Sequence, residues 1–492
     1  LRIFALMRFG NLLSKYYAFI IVAFIGLLHT PFILSDPDTL VSPISRGAWT
    51  DEGLNTIQVR NFVNHGYLSM DECDNLVKTP YFGFILVPFY SLLGTHIWVG
   101  RLLILACVLV TLFVFIRDED TNLFGMVLAV IGMLEFHVFH FSHYSMSEML
   151  AISWILLGIY LQWRAKRQGN AWWLVASATC FSLAYYSKVT FAYAVAIPFA
   201  TGILQLVVDA VNDSGKTRQH LKDLAIISLV TAFFGSAFYL KWYLPNESVF
   251  DMVYISQGQG RYDTDEPWER FKFNLDEFIL VDGIKPFIML VPVVLLFLLR
   301  TKFEKEKQLL FFGLIGWLVL ELHHTILVNP PTRYLLSFDL ACLALVSFGL
   351  TEAATNGLRK AIALIGFLIM GGYNLSHYWD SLNSRTFQIE SVREYLSHYD
   401  LKDRTIIGVW SATLASETQA RCIPIWSEFN PKEDPIAEFN PPIIFSEHDE
   451  AESDEFYQTK GISLEAASDS VRQFDIWRFK VNAYWVKPSR DD

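Results

Sequence analysis

The chain has 492 residues, of which 53% are hydrophobic, 15% aromatic and only 18% charged, a balance outside that of water-soluble domains. Its net charge of −11 is uneven: from Asp380 onward 21 acidic residues face 12 basic ones, so the tail carries −9 and the preceding 379 residues −2. Nothing in it offers a basic groove to a phosphate backbone, which excludes a nucleic-acid partner.

Taken in chain order, apolar runs near 16–34, 98–116, 122–142, 146–163, 171–187, 189–208, 224–240, 285–299, 308–328, 334–351 and 361–379 predict eleven crossings. Each approaches the length needed for about 30 Å of hydrocarbon at 1.5 Å per residue. The run at Tyr16–Leu34 lacks a small-residue cleavage site and leads into a polar loop, so it reads as a span and not as a removable leader. Pro80–Gly94 (PYFGFILVPFYSLLG) is short and broken by Pro80, Pro88 and Gly94, and is expected to lie in the interface. With that segment not crossing, a cytoplasmic N-terminus puts 16 basic residues on the cytoplasmic side against 11 outside. The fold expected is an α-helical polytopic membrane domain over 1–379, whose external loop 35–97 carries juxtamembrane helices. A small extracytoplasmic α/β domain follows over 380–492.

Within that tail, Glu390–Tyr399 has helical spacing, Thr405–Trp410 reads as a buried strand, Ser411–Gln419 as a helix and Cys422–Trp426 as a second strand. Ser427–Glu455, rich in Pro, Glu and Asp, reads as loop. Among the five cysteines there is no metal-finger spacing; Cys73 and Cys422, both expected outside, are candidates for a disulfide.

Charged groups near the external face carry the chemistry. Asp51 and Glu52 are adjacent on a predicted helix and point about 100° apart, so they can serve two tasks. Glu148 opens a span directly after the turn His143-Tyr144-Ser145-Met146-Ser147, where an ionisable side chain needs a partner or a cavity. Its bland alternative is a capping box with Ser145. Lys78, Lys188 and Arg333 fall at the same interface and suit a lipid phosphate. His137, His140, His323 and His324 also lie near that face, with Glu135 deeper and Glu321 beside His323; packing or cavity-lining roles suit them better than a metal site.

This arrangement resembles the GT-C class of polyprenyl-phosphate-sugar-dependent glycosyltransferases, and is similar to the protein O-mannosyltransferases and the lipid A aminoarabinose transferases. Four features match in order: the Asp51-Glu52 pair; Lys78-Thr79-Pro80 with its apolar helix and then Arg101-Leu102; Glu148; and Arg333-Tyr334-Leu335. Ala415–Pro424 (ASETQARCIP) resembles the soluble outer domain of bacterial members. Thr79 stands in place of a proline, no glutamate precedes Lys78, and Glu148 stands where aspartate is commoner.

The resemblance implies a bacterial inner-membrane enzyme, active on the extracytoplasmic face, that inverts the sugar it moves from a polyprenyl-phosphate donor to a hydroxyl of a lipid, glycan or protein. Asp51 would be the general base, with Glu52 and Glu148 in the catalytic set. Lys78, Lys188, Arg333 and Tyr334 would bind the donor phosphate, and His143 and Tyr144 the substrate. No cofactor is required by it, and a divalent metal ion is left open. A membrane transporter or glycan flippase is the rival reading, since it too would place charges in cavities.

Overall fold

The computed structural model describes residues 2–39, 41, 47–70, 72–73, 75–211, 217–251, 268–269, 272, 285–299, 305–327, 332–354, 357–425, 432–448 and 453–487. Helix α1 (Arg2–His29) runs into a 3₁₀ turn, Thr30–Phe32, and the following segment forms α2 (Gly47–His65), α3 (Asn75–Lys78) and α4 (Pro80–Leu93). Next come α5 (Ile97–Arg117), α6 (Asn122–Ile131), α7 (Phe136–Phe141), α8 (Ser147–Gln168) and α9 (Ala171–Ser187). A 3₁₀ stretch at Val189–Ala196 leads to α10 (Ile197–Val211), followed by α11 (Thr217–Phe238), α12 (Lys285–Leu299), α13 (Lys305–Leu327), α14 (Thr332–Ala353) and α15 (Gly357–Ser384).

Among the described residues, five helices are long and apolar enough to cross a membrane: Ile97–Arg117, Val189–Val211, Thr217–Asp251, Leu335–Ala353 and Arg359–Ser397. The chain is an integral membrane protein. Helix α4, started by Pro80 and ended at Gly94 with φ of 88°, has 14 residues, about 21 Å of rise and short of a crossing. The expected continuous span at 122–142 is corrected. Helix α6 stops at Ile131 and α7 restarts at Phe136, because the Glu135 carboxylate turns back to accept the Val138 amide at 3.0 Å as an N-cap. Glu135 thus serves the backbone. Helices α8 and α9 pack closely: a Cβ at Gly158 would meet the Phe181 ring at 2.8 Å, and Ser177 Oγ donates to the Gly158 carbonyl at 2.7 Å.

The tail begins with α16 (Gln388–Ser397) and builds a five-stranded mixed sheet, β1 (Thr405–Ile407), β2 (Arg421–Ile423), β3 (Ile443–Glu447), β4 (Ser468–Ile476) and β5 (Phe479–Val486). Its order is β2-β1-β3-β5-β4, with β1 parallel to β2 and β3, and β5 antiparallel to β3 and β4. Two expectations are corrected here. The stretch read as loop contains β3, buried at all five residues and paired on both sides. A strand this short, preceded by Asn440-Pro441-Pro442, is hidden when averaged with its acidic neighbours. The helix expected over Ser411–Gln419 ends at Leu414, because the carbonyls of Ala415, Thr418 and Ala420 turn instead to the Arg60 guanidinium. Strand β1 stops at Gly408, whose φ of 109° admits no side chain, since a Cβ would collide with the Phe445 carbonyl.

The tail is clamped onto the segment that follows α1. Asp36 accepts from Gln388 N at 2.5 Å and Ile389 N at 3.1 Å, so it caps α16 from 352 positions away. Trp49 stacks on Trp477, and a Cβ at Gly53 would lie 2.6 Å from the Thr413 amide, so Asp51-Glu52 sits on a helix that must carry glycine next. Cys73 and Cys422 are both buried and not bonded to each other: Cys422 Sγ accepts from Arg60 Nη1 at 3.0 Å and Cys73 Sγ from Asn75 Nδ2 at 3.4 Å, which removes the disulfide candidate.

Arg60, 1% exposed, is the centre of this clamp. Arg60→Met should detach the tail, since it removes the guanidinium bonds to three tail carbonyls, and a hydrogen bond to a charged group contributes about 1.5–3 kcal/mol. Limited proteolysis in detergent should then release the tail, and a cleavage pattern like wild type would show that the clamp is not what holds it.

Candidate active site

Four of the side chains singled out above converge at one end of the helical domain. Asp51 lies one turn into α2, Glu148 in the first turn of α8, Lys188 directly after α9 and Arg333 in the first turn of α14. Arg333 Nη1 donates to Asp51 Oδ2 across 282 positions of sequence. The Arg333 Nε lies 3.6 Å from Glu148 Oε1, and Lys188 Nζ donates to that same oxygen at 2.5 Å. Two carboxylates and two cations therefore alternate in one chain: Asp51, Arg333, Glu148, Lys188.

Burial grades along it. Glu148 and Lys188 are 1% and 8% exposed, whereas Asp51 and Arg333 are 13% and 20% exposed, so the Asp51 end faces solvent. Buried charges at this depth require partners, and here each supplies the other's. Glu148 Oε2 is buried without a hydrogen-bond partner among the described residues. One turn further along α14, Ser337 donates to Glu321, which also accepts from Tyr193 OH and, at 3.1 Å, from Trp317 Nε1. A second buried carboxylate thus lies below the first chain.

Glu52 points elsewhere, as the helical step between neighbours requires. It takes Arg101 Nε at 2.8 Å and the Ser145 amide at 2.7 Å, with a further bond from Arg101 Nη2, so both its oxygens are engaged. Arg101 continues to the carbonyls of Phe32, Ile33 and Ser35 at 3.1, 3.0 and 2.7 Å. The pair locks α5, the end of α1 and the 143–146 turn onto α2, and so fixes where Asp51 and Glu148 stand. This partner was missed in the sequence. The available signal was a lone arginine one turn inside an apolar span, which requires a buried acceptor.

The other expected site residues lie outside the chain of ion pairs. Lys78 ends α3, half-buried, beside Val77, whose carbonyl accepts Trp242 Nε1 at 3.0 Å. His143 Nδ1 faces His29 Nδ1 at 2.9 Å, and Tyr144 OH accepts the Asp38 amide at 2.8 Å, so both side chains pack the turn against the end of α1. Tyr334 is on α14, with its side chain outside the described residues, as is that of His324. His137 lies 3.5 Å from Glu135, His140 bonds Ser381 at 3.1 Å, and His323 is exposed. Among the described residues no three His, Cys, Asp or Glu side chains come together as metal ligands.

The chain is similar over 96% of its length, and 98% of the other chain, to ArnT from Cupriavidus metallidurans bound to undecaprenyl phosphate, with 13% identity and a TM-score of 0.61. The two chains share one fold. The apo state of ArnT from the same organism matches this chain with TM-score 0.57 and 14% identity, covering 96% of this chain and 98% of that one. The oligosaccharyltransferase AglB from Archaeoglobus fulgidus, solved with an inhibitory peptide and a dolichol-phosphate, matches 88% of this chain and 70% of its own at 10% identity and TM-score 0.48. No protein-family model and no curated protein sequence matches the chain.

Proposed function

We propose that this protein is a membrane glycosyltransferase that moves a monosaccharide from a polyprenyl-phosphate donor to an acceptor hydroxyl on the extracytoplasmic face. The observation that carries the reading is the alternating chain Asp51, Arg333, Glu148, Lys188 on a fold shared with a protein solved with undecaprenyl phosphate. Arg333 and Lys188 have the charge and spacing to take the donor phosphate between them, with Lys78 on the approach. A fork-shaped guanidinium suits phosphate oxygens, and the ammonium adds a point charge.

The donor phosphate competes with Asp51 for Arg333. Donor binding then frees the Asp51 carboxylate beside the sugar, where it accepts the proton of the attacking hydroxyl. The acceptor oxygen bonds to the anomeric carbon, the bond from that carbon to the phosphate oxygen breaks, and the polyprenyl phosphate leaves with its charge stabilised by the two cations. Glu148 holds both cations in register, and its Oε2, without a hydrogen-bond partner among the described residues, receives a sugar hydroxyl. Glu52 acts through Arg101 as a positioning residue.

Comparing glycolipids and protein glycans by mass spectrometry in cells with and without the gene tests this. The expected result is one glycan shorter by a single sugar when the gene is absent. An unchanged glycan pool, together with purified protein that fails to bind undecaprenyl phosphate, would refute it. The proposed orientation has its own readout: a reporter active only in the cytoplasm should stay silent when fused after Asp492.

A further inference from the structure

Where the tail meets the outer rim of the helices, a cavity of about 340 Å³ opens between the start of α5 and the start of α16. That is within the range of about 300–1,000 Å³ of small-ligand sites. Glu390, Arg393 and Glu417 line both this cavity and a second of about 500 Å³ that continues along the tail, so the two form one groove. The groove is not the ion-pair chain described above, but it touches the same scaffold. Arg101, which holds Glu52 from one side, lines the groove on the other.

Three features define its chemistry. First, aromatic surface is on offer: His96 and Trp98 stack with ring centroids 5.8 Å apart at 17°, and Phe387 and Tyr399 are 50% and 41% exposed. Second, polar groups converge at the junction of the cavities. Arg393 Nη1 donates to Glu417 at 3.2 Å and lies 3.6 Å from Glu390, His96 Nδ1 lies 3.4 Å from Glu417, and the buried Arg393 Nε has no hydrogen-bond partner among the described residues. Third, the charge balance opposes an anion. Along the outer cavity Glu390, Glu394, Asp400 and Glu417 outnumber Arg393 and Lys402, and in the inner cavity Arg101 is already engaged by Glu52 and three carbonyls.

We infer that this groove binds a neutral oligosaccharide of several sugar units, the part of a glycan acceptor remote from the reacting hydroxyl; this rests on the transferase reading above. Apolar sugar faces lie on Trp98, Phe387 and Tyr399, while ring hydroxyls take the carboxylates and the Arg393 guanidinium. Carboxylates and guanidinium together suit a ligand that both donates and accepts hydrogen bonds without net charge. Binding remote from the reacting centre then orients the acceptor for the chemical step.

The test is titration calorimetry on the full chain in nanodiscs. The probes are mannotriose, cellotriose and maltotriose, their 6-phosphorylated counterparts, glucose and tetralysine. At least one neutral trisaccharide should bind, at least tenfold more tightly than glucose or its phosphorylated form. Trp98→Ala and Glu417→Gln should each weaken it at least tenfold without lowering the melting temperature. The inference fails if no neutral trisaccharide binds, if phosphorylated sugars or tetralysine bind more tightly, or if both variants bind like wild type. Undecaprenyl phosphate binding by the same preparations separates the two readings. Trisaccharide binding without lipid-phosphate binding supports the groove and counts against the transferase.

Discussion

Replacing Asp51 with asparagine should cut sugar transfer about 10²–10⁴-fold, the usual contribution of a positioned base, and should at the same time tighten binding of undecaprenyl phosphate. Asparagine keeps the shape of the side chain on α2 but takes up no proton. It also no longer holds the Arg333 guanidinium as an ion pair, so the phosphate need not displace a carboxylate. The gain should reach up to about tenfold in Kd, the lower end of what a charge-assisted hydrogen bond contributes. Single-turnover transfer and lipid-phosphate titration on one preparation read both effects. Opposite movement of rate and affinity is the signature. Near-normal rates would end the base assignment, and unchanged affinity would end the competition for Arg333.

The neighbouring residue should behave differently for a structural reason. Glu52→Gln turns an amide toward Arg101, with side chains 3% and 6% exposed, and leaves a buried guanidinium without its counter-charge. Such a break costs about 3–5 kcal/mol, so the variant should be lost as folded protein. Two carboxylates adjacent in sequence thus separate into the proposed base and one that holds α2 in place.

That separation marks where reading the sequence stopped. Asp51, Glu148, Lys188 and Arg333 were legible because each is a charge at the edge of an apolar run, where burial without a partner is costly. Which charge pairs with which was not legible, since Glu52 finds Arg101 49 positions away and Asp51 finds Arg333 at 282. Long helices with uniform hydropathy were plain, but the break after Ile131 was not, because Glu135 reads as a charge in a span until its capping bond is known. In the tail, α16 showed its spacing, whereas β3 and the β4–β5 hairpin did not. Their pairing partners, and not their own composition, make them strands. His143 and Tyr144 looked equivalent to the four convergent residues by position alone; their bonds to His29 and to the Asp38 amide distinguish them.

Arg333→Met should raise the Kd for undecaprenyl phosphate about tenfold to a hundredfold, from the loss of charge-assisted bonds of about 1.5–3 kcal/mol. The protein should remain folded, because the residues it abandons are served: Asp51 reaches solvent at 13% exposure and Glu148 keeps Lys188 at 2.5 Å. Arg333→Lys should recover part of the affinity, as a point charge without the fork. Lys188→Met is the sterner case. It strands Glu148, 1% exposed, with only the Arg333 Nε at 3.6 Å, so folded protein should fall along with binding. Adding Glu148→Gln to Lys188→Met removes the stranded charge and should restore the melting temperature without restoring the phosphate affinity. That split identifies Lys188 as a phosphate ligand as well as a structural partner, and the coupling between the two substitutions is measurable as a double-mutant cycle. Should Arg333→Met bind the lipid phosphate as wild type does, or the double variant regain full affinity, the cations of this chain serve only to neutralise its carboxylates, and the donor phosphate binds elsewhere.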